Sequence, residues 1–183
     1  MTARTTAMVV GLTMLVGLAV SADAKRYRAK YAGTSVITSV DSNDDGQPAR
    51  ENIFQVKTNP GGSGVLRSIG ESTPAVPAGP GECDGLDLGE GPIVRSTVVA
   101  EDAVTTFQDG SQRFVQTVSG FTCVNATTGV LAGENEAVLL GGTGRWEGWT
   151  GTWTSRFRGQ VLNLAVTIIA ITGESTGEVT KAK

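Results

Sequence analysis

The 183-residue chain contains no histidine. That absence excludes Ser-His-Asp and Cys-His triads, imidazole general bases and histidine-ligated zinc. Two cysteines are too few for a zinc finger built on thiolates alone. Charge is sparse as well: 15 basic and 18 acidic residues leave a formal net charge of -3. This is too little for a disordered polyanion and has the wrong sign for a nucleic-acid binder. Aromatic residues make up 5% and prolines number six, but glycine is plentiful at 25. The length suits one globular domain.

Residues 1 to 24 differ in kind from the remainder of the chain. Arg4 is the only basic residue before the apolar run Ala7 to Val20, and Ser21-Ala22-Asp23-Ala24 comes next. The run is shorter than the roughly 20 residues needed to cross a bilayer, and Ala22-Asp23-Ala24 has the A-x-A form of a cleavage site. The pattern predicts a signal peptide over 1–24, with cleavage after Ala24, and a single domain over 25–183 in a secreted or periplasmic setting. An uncleaved membrane anchor is the other reading. After cleavage no membrane association is expected. In an oxidising compartment Cys83 and Cys123, 40 residues apart, are expected to pair, the alternative being two free thiols.

Beyond residue 25 helical periodicity is hard to find. Short β-branched or aromatic stretches alternate with glycine-centred turns, which predicts an all-β sandwich or barrel. The candidate strands are 27–40, 52–58, 63–70, 93–100, 103–108, 111–118, 120–126, 129–140, 145–157 and 160–172. Asp109-Gly110 has the strongest hairpin signal, with two residues to turn and φ > 0 expected at both. Arg158-Gly159 is expected to turn in the same way. Val161 to Thr172 carries no charge and is apolar on both alternating faces, so it reads as an interior strand covered on two sides or one whose outer face is buried in an oligomer. Segment 72–92 holds four of the six prolines and reads as a loop over one barrel end, either a lid pinned by Cys83 or an ordinary insertion.

Residues 141–151, GGTGRWEGWTG, carry glycines suited to a tight turn followed by close backbone approach. No Lys-Ser or Lys-Thr comes after them, as a phosphate loop would require, and no helix is in prospect for a dinucleotide fingerprint. In Gly141, Gly142, Thr143, Gly144, Arg145, Trp146, Gly148 and Gly151 the chain resembles the allene oxide cyclase-like and dirigent-like barrels. The resemblance extends over about residues 93–173. It implies an eight-stranded antiparallel barrel of calycin-like form with an apolar lumen, dimeric or trimeric assembly and no cofactor. It also implies ring closure of an unstable oxylipin or steering of phenoxy-radical coupling. No catalytic residue carries over from it.

Several side chains are candidates for chemistry. Trp146, Trp149 and Trp153 fall within eight residues and, with Phe157, could line a cavity for an apolar ligand, or else fill the core. Glu134 and Glu136 share one strand face. Turned inward they would form an acid-base pair, with Arg113 or Arg156 as partner, and turned outward a solvated surface. Asp41, Asn43 and Asp45 have the opening spacing of a calcium loop, but Asn52 occupies the twelfth position and Pro48 interrupts. An acidic turn is the other account, so no metal is expected. Asn125-Ala126-Thr127 is a glycosylation sequon. The leading expectation is a barrel that binds one small hydrophobic molecule and steers its cyclisation or coupling as an isomerase would. The alternative is a solid-cored extracytoplasmic structural or interaction protein.

Overall fold

The computed structural model describes residues 23–41, 46–163 and 167–182. Nine strands run β1 Asp23–Ile37, β2 Arg50–Asn59, β3 Gly62–Ser72, β4 Val76–Pro77, β5 Ile93–Phe107, β6 Gln112–Asn125, β7 Val130–Gly142, β8 Trp149–Asn163 and β9 Ile168–Lys181. A 3-10 turn, Gly144–Trp146, precedes β8. The antiparallel order is β3-β2-β1-β9-β8-β7-β6-β5, and β3 pairs back with β5. The sheet is therefore a closed eight-stranded barrel. Two-residue β4 extends the line of β3 along β5 beyond an irregularity at Glu71/Ser72. Closure leaves no free edge, which answers the hazard of so many exposed β-branched side chains. The all-β barrel expected from the sequence is the fold.

The leader expected over 1–24 lies outside the described residues, except for Asp23 and Ala24, which open β1 opposite Lys181 and Thr180 of β9. Candidate strands 93–100 and 103–108 are one strand, β5. Candidates 111–118 and 120–126 are likewise one strand, β6, with a bulge between Thr117 and Ser119. That bulge reverses which side chains face inward: Val115 and Thr117 point to the lumen, whereas Ser119, Phe121 and Cys123 point out.

Two turn expectations need correction. Asp109-Gly110 does close the β5–β6 hairpin, but the loop has three residues: Phe107 N–H donates to Ser111 O at 2.9 Å and Gly110 N–H to Phe107 O at 3.0 Å. Of these residues only Gly110 has positive φ, at 80°. Arg158-Gly159 is not a turn. Both residues lie within β8, paired with Ala132 and Leu131 on one side and Thr172 and Ile171 on the other. Gly159 is there because a Cβ would stand 2.4 Å from Ala170 O. The apolar run Val161 to Thr172 is consequently divided between the end of β8 and the start of β9, with Val161 opposite Ile169, rather than forming one strand. The final strand, 173 onward, escaped notice because its inward positions are Gly173, Ser175 and Gly177, which give no apolar alternation.

Glycine abundance also results from closure. Six lumenal rings lie opposite a glycine on a neighbouring strand: Phe54 with Gly33, Phe107 with Gly64, Phe157 with Gly133, Tyr31 with Gly173, and both Tyr27 and Trp153 with Gly177. The rings of Phe54, Phe107, Phe157 and Tyr31 lie over their partners' bare Cα atoms. A Cβ on Gly173 would sit 2.4 Å from Tyr31 Cζ, and one on Gly133 2.5 Å from Phe157 Cζ.

Segment 72–92 lies against the outer wall of the barrel rather than over its end. Cys83 is bonded to Cys123, which faces outward beside Ala132, and Leu88 packs on both. Fully buried Asn125 anchors the segment. Its Nδ2 donates to Leu88 O at 3.1 Å and Glu90 O at 2.9 Å, while its Oδ1 accepts from Thr127 N and Thr128 N. In the folded protein the sequon asparagine is therefore closed to a glycan.

Candidate functional site

The lumen has two halves. At the end where β8 begins, Trp146, Trp149, Trp153, Phe107, Leu139 and Val179 form one buried cluster that fills the barrel. The motif around Trp146 builds this plug. Gly142 and Gly144 let the turn fold inward, and Arg145 ties it to two other hairpins. Arg145 Nη1 donates to Gly61 O at 2.6 Å in the β2–β3 turn, and Nη2 pairs with Asp109 Oδ2 at 2.6 Å. The hydrogen bonds from Arg145 and Ser111 hold the exposed Asp109 carboxyl well below the usual carboxylate range.

Arg113 stands at the centre of the plug, 1% exposed. Its Nη1 donates to Tyr27 Oη at 2.5 Å and Nη2 to Thr105 Oγ1 at 3.0 Å. The guanidinium carbon lies 5.1–5.8 Å from the ring centres of Trp153, Tyr27, Trp146 and Phe107. Four π faces and two hydroxyls thus surround a buried cation, and no carboxylate among the described residues pairs with it. Cation–π contacts of about 2 kcal/mol each when desolvated explain how the charge is tolerated. Burial pushes the Tyr27 phenol up, while the charge and hydrogen bond of Arg113 oppose the rise.

The other half is polar at its centre, around Glu101. Glu101 Oε1 accepts from Ser68 Oγ at 2.7 Å and Asn52 Nδ2 at 3.2 Å, and Oε2 accepts from Thr117 Oγ1 at 2.8 Å. The register places Glu101 between Gly70 and Thr117, so β2, β3, β5 and β6 converge on one carboxylate. The Tyr31 phenol is pushed up, first by burial and then by the negative charge of Glu101, with a hydrogen bond to Ser155 opposing. It therefore remains protonated near neutrality and keeps a donor beside an acceptor. Ser155 and Ser175 share a hydrogen bond of 2.8 Å across β8 and β9. Tyr31, Leu66, Ala103, Asn135 and Phe157 face inward here, yet each is only half-buried. Around them Phe54, Ser68 and Ser175 are buried. Near its far end Arg50 Nε donates to Ser35 Oγ at 2.8 Å and Nη2 to Thr167 O at 3.0 Å.

The sequence-predicted candidates fall in different places. Trp146, Trp149 and Trp153 come together in the plug, whereas Phe157 faces the open half. Glu134 and Glu136 share a face, as expected, but it is the outer wall: Glu134 pairs with Arg156 at 2.6 Å and Glu136 accepts from Ser119 Oγ at 2.9 Å. They do not meet in the lumen or approach Arg113. Asp41 Oδ2 accepts from Gly46 N at 2.9 Å, while Asn43 and Asp45 lie outside the described residues. Glu101 and Tyr31 were missed. Glu101-Asp102 reads as a charged break between two strands, and only the parity of Glu101, Ala103, Thr105 and Phe107 could have placed it inside.

No known family model matches the chain, and no curated protein does. Among solved structures it is similar to the pterocarpan synthase dirigent protein GePTS1, at 12% identity and a TM-score of 0.41, over 88% of this chain and 87% of that one. At that identity and TM-score the likeness carries no argument about family, ligand or reaction. The barrel itself rests on the strand order. Among the described residues no helix is long and apolar enough to cross a membrane, which says nothing of a barrel that crosses with strands. The disulfide fits an oxidising compartment.

Proposed function

We propose that this is an exported barrel that takes one small hydrophobic molecule into the half of its lumen around Glu101 and steers its ring closure. The observation that carries this reading is the convergence of Glu101, Asn52, Ser68 and Thr117 beside inward Tyr31, Leu66 and Phe157, which are only half-buried. An apolar pocket with a few convergent polar groups is the usual form of a small-molecule site. Phe54, Phe157 and Leu66 supply apolar contact. Glu101 accepts a hydrogen bond from the ligand, and the protonated Tyr31 donates one. Holding a flexible molecule in one reactive conformer lowers the entropic part of the barrier, and an isomerising ring closure needs no cofactor or co-reactant.

The test uses 2-naphthol, a fluorescent apolar probe with one hydroxyl. Saturable binding is expected, weakened roughly tenfold by Glu101→Gln, which corresponds to one charge-assisted hydrogen bond. Leu66→Trp, which fills the open half, is expected to abolish it. A second reading, a solid structural barrel, draws on the tryptophan plug. Absence of saturable binding, or binding indifferent to Leu66→Trp, would establish that alternative and sink the first.

A further inference from the structure

Two grooves mark the outer wall. The first, about 730 Å³, spans β1, β2, β3 and β5, and its outward side chains include Lys30, Gln55, Lys57, Ser63, Val65 and Gln108. The second, about 450 Å³, spans β6, β7, β8 and β9, and includes Val118, Glu136, Val138, Thr152, Thr154 and Glu178. In the ring β3-β2-β1-β9-β8-β7-β6-β5 the two sets of four strands share no member and together complete the circle. The grooves therefore face opposite directions.

Their charges are opposite as well. Among the described residues no carboxylate lines the first groove, and no lysine or arginine lines the second. In the first, Lys30 and Lys57 are direct cross-strand partners, a like-charge pairing that costs stability within a monomer. Lys30 reaches away to Glu174 on β9 at 3.1 Å. Each groove also presents exposed apolar surface, Val65 at 45% in the first and Val118 at 55% in the second.

We propose that the basic groove of one copy receives the acidic groove of the next, so that the barrels associate head to tail. Lys30 and Lys57 would meet Glu136 and Glu178, relieving the like-charge pairing, while the valines bury one another. A contact between two different patches on opposite walls is heterologous and does not close after two or three subunits, so the product is an open chain. The residues that would meet, Lys30, Lys57, Glu136 and Glu178, alternate along their strands with lumen-facing Tyr31, Val56, Ala137 and Val179 and so lie on the outer wall.

Sedimentation velocity of the disulfide-bonded protein tests this. At 20 mM salt the weight-average mass is expected to rise with protein concentration beyond that of a trimer, and at 500 mM salt to return to the monomer, because screening within about 4 Å removes the steering between exposed charges. Lys30→Glu with Lys57→Glu is expected to be monomeric at 20 mM salt, as is Glu136→Lys with Glu178→Lys. Both should retain the wild-type near-ultraviolet circular dichroism. Mixing the two variants, which makes the grooves complementary again, should restore the growth in mass. A wild type that stays monomeric overturns the proposal. So does a closed dimer or trimer, or an assembly that only one of the two double substitutions disrupts and mixing fails to restore.

Discussion

The two halves of the lumen enclose charge in different ways. At the plugged end a cation, Arg113, is held by rings and two hydroxyls, 1% exposed and without an anionic partner among the described residues. In the open half an anion, Glu101, is held by three neutral donors and remains in reach of water. Aromatic faces suit a cation because their quadrupole is negative above the ring, whereas a carboxylate needs N–H and O–H groups. The first arrangement stabilises the barrel. The second leaves lone pairs free for a ligand.

Substitutions can break that contrast. Arg113→Ala should have the largest effect, about 3–5 kcal/mol in urea unfolding, because it opens a cavity and strands the Tyr27 and Thr105 hydroxyls. Arg113→Met, which keeps the volume and avoids burying a charge, should lose less than half as much. Replacing Cys83 and Cys123 by serine should cost about 2–4 kcal/mol for a loop of 40 residues while leaving naphthol binding intact, since the bridge lies on the outer wall. Glu101→Gln should lower stability by only about 1–2 kcal/mol, with its main effect on binding. An equal loss of stability in Arg113→Ala and Glu101→Gln would erase the distinction between the two halves.

The smallest effect should come from Asp109, on the rim of the plug. Its folded carboxyl binds protons more weakly than the unfolded one, so it contributes stability above the ordinary carboxylate pKa of about 4. That contribution fades as pH falls through the lower folded value. Wild type should therefore exceed Asp109→Asn in melting temperature at pH 6, and the gap should close below pH 3. A gap unchanged by pH would show that the Arg145 latch does not depend on that charge.

Much of the barrel was legible because β-branched stretches and glycine turns are local signals. The disulfide was legible as well, from two cysteines in a chain with the marks of export. What stayed hidden was register. Arg158-Gly159 looked like a turn because a glycine that yields to a neighbouring backbone reads the same as one that bends the chain. The bulge at Thr117/Ser119 put Phe121 and Cys123 outside, where simple alternation would have placed them in the lumen. Glu101 was invisible because its partners Ser68, Asn52 and Thr117 lie 16 to 49 residues away. The tryptophans were legible as a group, but which half they occupy depended on the 3-10 turn that swings Trp146 inward.

The pairing of lumenal rings such as Phe54, Tyr31 and Phe157 with a bare Cα across the ladder separates two kinds of tolerance. The glycines cannot grow without pushing strands apart, so the wall is fixed. The half-buried rings are freer to become smaller: Tyr31 or Phe157 could shrink to leucine and widen the interior at less cost than buried Phe54. Descendants of this barrel can thus remodel what they hold through a handful of side chains without redrawing the scaffold.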